Sequence, residues 1–106
     1  MSSAVLTALL VERLLGWRVT PDRFLLGARQ WKPRHYFQPL KRPGDAFRLL
    51  QAGCPNWYAI TRAERGLCTV KIQIEGRVGE ACAASEAQAI AFAVARAIGI
   101  DPEADD

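Results

Sequence analysis

The sequence predicts an α+β fold: a small α/β sandwich in which an antiparallel sheet of three to five strands packs against two or three helices. Three observations carry that prediction. Residues 68–75 alternate strictly, Cys68, Val70, Ile72 and Ile74 against Thr69, Lys71, Gln73 and Glu75, as a strand with one buried and one wet face does. Both ends of the chain instead repeat their apolar residues at helical spacing. The 106 residues, 50% apolar and 24% charged, suit one domain with a single modest core.

Taken in order, Ser2 or Ser3 caps a first helix that runs to about Leu15 and stops at Gly16. Its apolar face is Val5, Leu6, Leu9, Leu10 and Leu14. With Glu12 and Arg13 inside the apolar stretch and no positive start, this is read as a helix of the mature fold rather than a signal peptide. Trp17 and Val19 enter an extended segment, Thr20-Pro21-Asp22 turns it, and "RFLL" follows as a short strand that Gly27 breaks. After residues 28–44, Asp45 opens a short helix through Ala52, and Gly53 closes it. "WYAITRA" and "LCTVKIQIE" are strands around a Glu64-Arg65-Gly66 turn, and Gly76 turns the chain into a third, "RVGEACAA".

A capping box of Ser85 and Gln88 starts the last helix, which ends near Ile98. Only Gln88 and Arg96 are polar between Ala87 and Ile98, and Phe92 shares their stripe. Such a helix lacks one ordinary wet face and is expected to lie against the sheet on one side and helix 1, or a second chain, on the next. Residues 1–100 form the domain and 101–106 an acidic tail, expected to fray.

The points "ERLLGW" (12–17), "YFQPLKRPGDAFRLL" (36–50), "WYAITRAERGLCTVKIQIEG" (57–76) and "ASEAQAIAFAVARAIGI" (84–100) resemble the phage ABA sandwich domain, a family of small phage and prophage proteins. The resemblance implies a small α/β sandwich and a phage genome as origin. It implies no reaction and carries no functional residues over. Leu40, Lys41 and Arg42 depart from the small or polar residues that relatives have there, and Arg29, Lys32 and Arg34 look like additions of this chain.

Composition excludes several function classes. Cys54, Cys68 and Cys82 are scattered, without a Cys-x-x-Cys pair, and are expected to be buried free thiols of a reducing compartment. They do not make a zinc site with one histidine, so neither metal nor cofactor is expected. His35, the only histidine, stands among cations with no carboxylate to orient it, and Glu75 and Glu80 flank a turn. With no phosphate loop or glycine-rich fingerprint either, the chain is not expected to be an enzyme. No apolar run reaches the ~20 residues of a membrane span.

What is left is charge. From Arg13 to Arg48 the chain carries +7, and from Tyr58 onward −3. Within "ARQWKPRHYFQPLKRPG" (28–44) there are five basic residues, three aromatics, three prolines and no acid. Arg29, Trp31, Lys32, Arg34, Tyr36, Lys41 and Arg42 are the candidate partner-binding residues, since aromatics and arginines dominate interface hot spots. Three partners fit. An acidic host protein or nucleoprotein complex would make the chain an inhibitor, of an anti-phage defence such as CRISPR on the phage resemblance. Nucleic acid would meet the lysines and arginines while aromatics stack. A nucleotide would sit in the basic loop or between protomers, as a sequestered signal. The bland alternative is a solvated loop whose Trp31 and Phe37 fold back into the core. The expected setting is the cytoplasm of a bacterial host, without membrane contact, as a monomer or a homodimer through the last helix.

Overall fold

A computed structural model describes residues 1–63 and 65–103. Helix α1 (Ser3–Leu10) begins at Ser2, whose Oγ accepts the Val5 N–H, and a π-helical turn over Val11–Leu15 carries it to Gly16. Leu6, Leu10 and Val11 are its buried line. Six strands follow in two antiparallel three-stranded sheets. The first is small: β1 (Arg18–Val19), β2 (Arg23–Gly27) and β3 (Gln30–Pro33). Thus part of the predicted stiff loop is a strand, with Leu25 opposite Trp31 and Phe24 opposite Lys32. A 3₁₀ turn, Arg34–Tyr36, leads from it toward α2 (Pro43–Ala52), which starts two residues before Asp45.

The main sheet has β4 (Trp57–Arg62), β5 (Cys68–Ile74) and β6 (Arg77–Ala83), with β5 central. The alternation in β5 appears as predicted: Cys68, Val70, Ile72 and Ile74 are buried, and Lys71 is exposed. Between β5 and β6 the loop has only Glu75 and Gly76, both at positive φ (50° and 81°), the two-residue geometry whose twist matches paired strands. Glu64, expected to turn the β4–β5 hairpin, lies outside the described residues.

Helix α3 (Glu86–Ala97) is capped by Ser85, whose Oγ accepts the Gln88 N–H at 3.3 Å. It lies on β5 and β6. Gly79 sets the closeness: a Cβ there would drive into the Ala93 carbonyl and crowd Ala97. The helix packed beside α3 is α2, not α1. Ala87, Ile90, Ala91, Val94 and Ala95 are buried within the single chain. The expectation that α3 has no ordinary wet face is corrected as well. Gln88, Phe92 and Arg96 form its outward stripe, and Phe92 is half-buried there, packed against the core with the Arg96 guanidinium 6.0 Å over its ring. Beyond the helix, Ile100 and Pro102 are buried, and Glu103 pairs with Arg96 at 3.1 Å. Residues 104–106 of the acidic tail lie outside the described residues.

The elements touch in series, from the main sheet through α3 and α2 to the π-helical turn and β1. The two sheets therefore flank the helices in a body of 44 × 28 × 27 Å. No helix among the described residues is long and apolar enough to cross a membrane.

Candidate binding surface

An aromatic cluster holds the small sheet to the helices. Trp17, Phe24 and Phe37 are buried, with ring centroids 5.5–6.3 Å apart and tilted or edge-on planes. Two guanidinium groups close it: Arg34 lies 5.1 Å over Phe24, and Arg48 lies 5.1 Å over Trp17 and 5.7 Å over Phe37. Arg34 also donates to the Thr20 carbonyl at 3.0 Å and to the Ala4 carbonyl at 3.1 Å, tying the end of β3 to the β1–β2 turn and to α1. Its side chain is thus committed to the fold. Asp45 does similar work, accepting the Gln38 N–H at 2.9 Å, while the Gln38 carbonyl accepts from Lys41 and Arg42 and holds the turn that presents both cations.

Phe37 is core, as the bland reading has it; Trp31 is not, and stands 55% exposed. The pairing of Leu25 with Trp31 and Arg18 puts these three side chains on one face of the small sheet. Arg23 lies 4.9 Å over the Trp31 ring, steadied by an ion pair to Asp22 at 3.2 Å. Asp22 is held below the ordinary carboxylate range, first by the Thr20 hydroxyl and then by Arg23. Lys32 points to the opposite side of β3, its ammonium 5.1 Å over the ring of exposed Tyr36. Arg29 is exposed in the β2–β3 turn, and Arg42 at the N-cap of α2.

A cleft of about 390 Å³ opens between α1, the β1–β2 turn and residues 35–41. Ala4, Thr7, Pro21 and Leu40 line its walls, and His35 and Lys41 stand at it with Arg34. The arrangement suits an apolar side chain flanked by carboxylates.

The seven predicted residues are therefore divided, not gathered in one patch. Trp31 faces outward under Arg23, Lys32 is paired with Tyr36, Lys41 is at the cleft, Arg34 is spent on the fold, and Arg29 and Arg42 are exposed in the β2–β3 turn and at the N-cap of α2. Arg18 and Arg23 were missing from the candidates because they precede the proline-rich stretch in sequence. Only the strand pairing puts both on the face of Trp31, with Arg23 over its ring and Arg18 one strand further away. The three thiols are free, but only Cys68 is buried; Cys54 and Cys82 are exposed, against the expectation for all three. Cys54 follows α2 at φ 48°, and Cys82 lies on the outward face of β6. Burial pushes the Cys68 thiol up, with Glu86 adding to the shift.

Comparison with known proteins adds fold, not chemistry. No family model matches the chain, and no curated protein is significantly similar to it in sequence. Among solved structures, a phage protein from Bacillus cereus superposes with a TM-score of 0.81 over 97% of this chain and 93% of that one, at 13% sequence identity. The chain is thus an α+β protein with the fold of that phage protein. At this identity the likeness is one of architecture.

Proposed function

We propose that this chain is a phage-encoded, non-enzymatic binding protein that docks on an acidic host protein or nucleoprotein complex and inhibits it, with anti-phage defence complexes such as CRISPR effectors as the class of target. The observation that carries the reading is Trp31, exposed on an open sheet face and braced by Arg23. An indole left in water beneath a guanidinium is the residue combination that dominates protein interfaces. Because the side chain is held in place before binding, less entropy is lost on association. The cleft favours protein over nucleic acid, since apolar walls with Lys41 as the uncommitted cation take a side chain rather than a run of phosphates. A phage source rests on the shared fold with the Bacillus cereus phage protein.

The test is affinity capture from a bacterial lysate with the tagged chain. One stoichiometric acidic complex is expected with the wild type and is lost with Trp31→Ala. Lys41→Ala with Arg42→Ala should weaken capture; Arg34 is avoided because its removal disturbs the fold. Recovery of abundant ribosomal proteins only, unchanged in Trp31→Ala, overturns the reading. If purified protein instead shifts oligonucleotides, with a salt slope that falls by about two in the double variant, nucleic acid is the partner. Thermal stabilisation by free nucleotides marks the signal-sequestering alternative.

A further inference from the structure

The sheet edges of this molecule are unequally protected. In the small sheet, β1 has only two residues and β3 ends in Lys32 and Pro33, two ordinary ways of blunting an edge. In the main sheet, β6 is covered by a side chain: Arg96 donates to the Glu80 carbonyl at 2.7 Å while held by Glu103. Strand β4 has none of this. It is six residues long and contains neither proline nor lysine.

Its geometry defines what is open. The Ala63 N–H donates to the Leu67 carbonyl at 2.8 Å, so the odd positions Thr61 and Ala59 bond to β5, and Tyr58, Ile60 and Arg62 turn their backbone groups outward. Their side chains share the face of Ile72, Val70 and Cys68, which α3 covers over β5. That cover reaches β4 only at its end, where Arg62 pairs with Glu86 of α3 at 2.9 Å. Tyr58 is 50% exposed and Ile60 is half-buried. The result is an apolar ledge along an unpaired edge.

We propose that two copies of this chain pair β4 antiparallel about a two-fold axis at Ile60, joining their three-stranded sheets into one of six. The occupant is argued from self-complementarity. Of the two-fold registers, the one centred on Ile60 matches every outward residue with another: Ile60 with Ile60, and Tyr58 with Arg62, each pair exchanging both hydrogen bonds. It sets the two Ile60 side chains together on the ledge and places each Arg62, whose guanidinium keeps its Glu86 partner at 2.9 Å, opposite a tyrosine ring that its free face can meet as a cation–π pair. On the outward face it sets Trp57 opposite Ala63, where a small residue leaves the indole room. This interface is separate from the basic small-sheet face and does not depend on the function proposed above.

Sedimentation velocity over a wide concentration series tests the pairing. The wild type is expected to change reversibly from one copy to two as concentration rises. Tyr58→Pro removes one outward N–H without touching the β4–β5 ladder, an edge position where proline is tolerated. It should stay monomeric with an unchanged circular dichroism spectrum. A second set keeps the strand chemistry intact, in a Cys54→Ser, Cys82→Ser background. Ala59→Cys with Thr61→Cys places thiols directly opposite in a non-hydrogen-bonded pair, about 4.5 Å between Cα atoms, and should yield a covalent dimer on mild oxidation. Ala59→Cys alone should not, because residue 59 meets its own copy only in a shifted register. A wild type that stays monomeric throughout overturns the proposal, as does one that captures only an extended foreign peptide. So does cross-linking by the lone Cys variant, or a Tyr58→Pro chain that still dimerises.

Discussion

Arg34 shows how one side chain can leave the surface for the fold. It spends N–H groups on the Thr20 and Ala4 carbonyls and its plane on Phe24. Charge-assisted hydrogen bonds of this sort contribute about 1.5–3 kcal/mol where shielded, less at an exposed bond. Arg34→Ala should therefore lower stability by about 2 kcal/mol in denaturant titration, and Arg34→Lys should restore little of it, lacking the planar fork. The thiols give a second residue-scale test. Cys54 and Cys82 should react at once with an aromatic disulfide reagent, and Cys68, buried and with its thiolate disfavoured, only as the chain unfolds. Asp22 titrates below the ordinary range, so its bonds to Thr20 and Arg23 persist as pH falls through that range and fail only below it. A carboxyl chemical-shift titration should place its midpoint below that of an unperturbed aspartate, and Thr20→Val should raise it.

At the scale of elements, two turns of backbone geometry are worth testing. Helix α3 sits on Gly79 so closely that the backbone of Ala93 and Ala97 occupies the space of a β-carbon. Gly79→Ala should cost about 3 kcal/mol or more, because neither a helix backbone nor a central contact can give way cheaply; the shift in thermal midpoint measures it. The β5–β6 hairpin carries the opposite opportunity. Glu75 occupies a left-handed conformation that costs an ordinary side chain about 1 kcal/mol. Glu75→Asn, completing the favoured Asn-Gly pair, should raise stability by a large part of that amount. Most of the elements themselves were legible from the chain: Ser2 and Ser85 as caps, the alternation of β5, the turn at Gly76. Strand β3 was not, because Gln30–Pro33 has no alternation of its own and is held as a strand by its partner β2.

For the whole molecule, charge follows architecture. The +7 stretch from Arg13 to Arg48 builds the small sheet, the 3₁₀ turn and most of α2, and the −3 stretch from Tyr58 onward supplies nearly all of the main sheet and α3. The field therefore runs from one side of the helices to the other. If the partner is acidic, Arg29→Glu with Lys32→Glu should slow association and reduce its dependence on salt, with little change in thermal midpoint. Stopped-flow or surface-bound kinetics at two ionic strengths read that directly. The candidate surface was only partly legible. Its charge could be counted along the chain, but Trp31 looked as ready for the core as Phe37 did.

By itself, the sequence determined the fold class, the helix caps, the strand with one buried face and the end of the chain that is positive. These depend on neighbours within a turn or a strand, where spacing maps directly onto geometry. The tertiary structure alone decided which aromatics are core and which are exposed, that Arg34 serves the fold, that Arg23 covers Trp31, and that α2 rather than α1 lies against α3. Those outcomes depend on pairings between segments distant in the chain, and the physical quantity that selects among them, space left unfilled beside a given side chain, is not written in any local pattern.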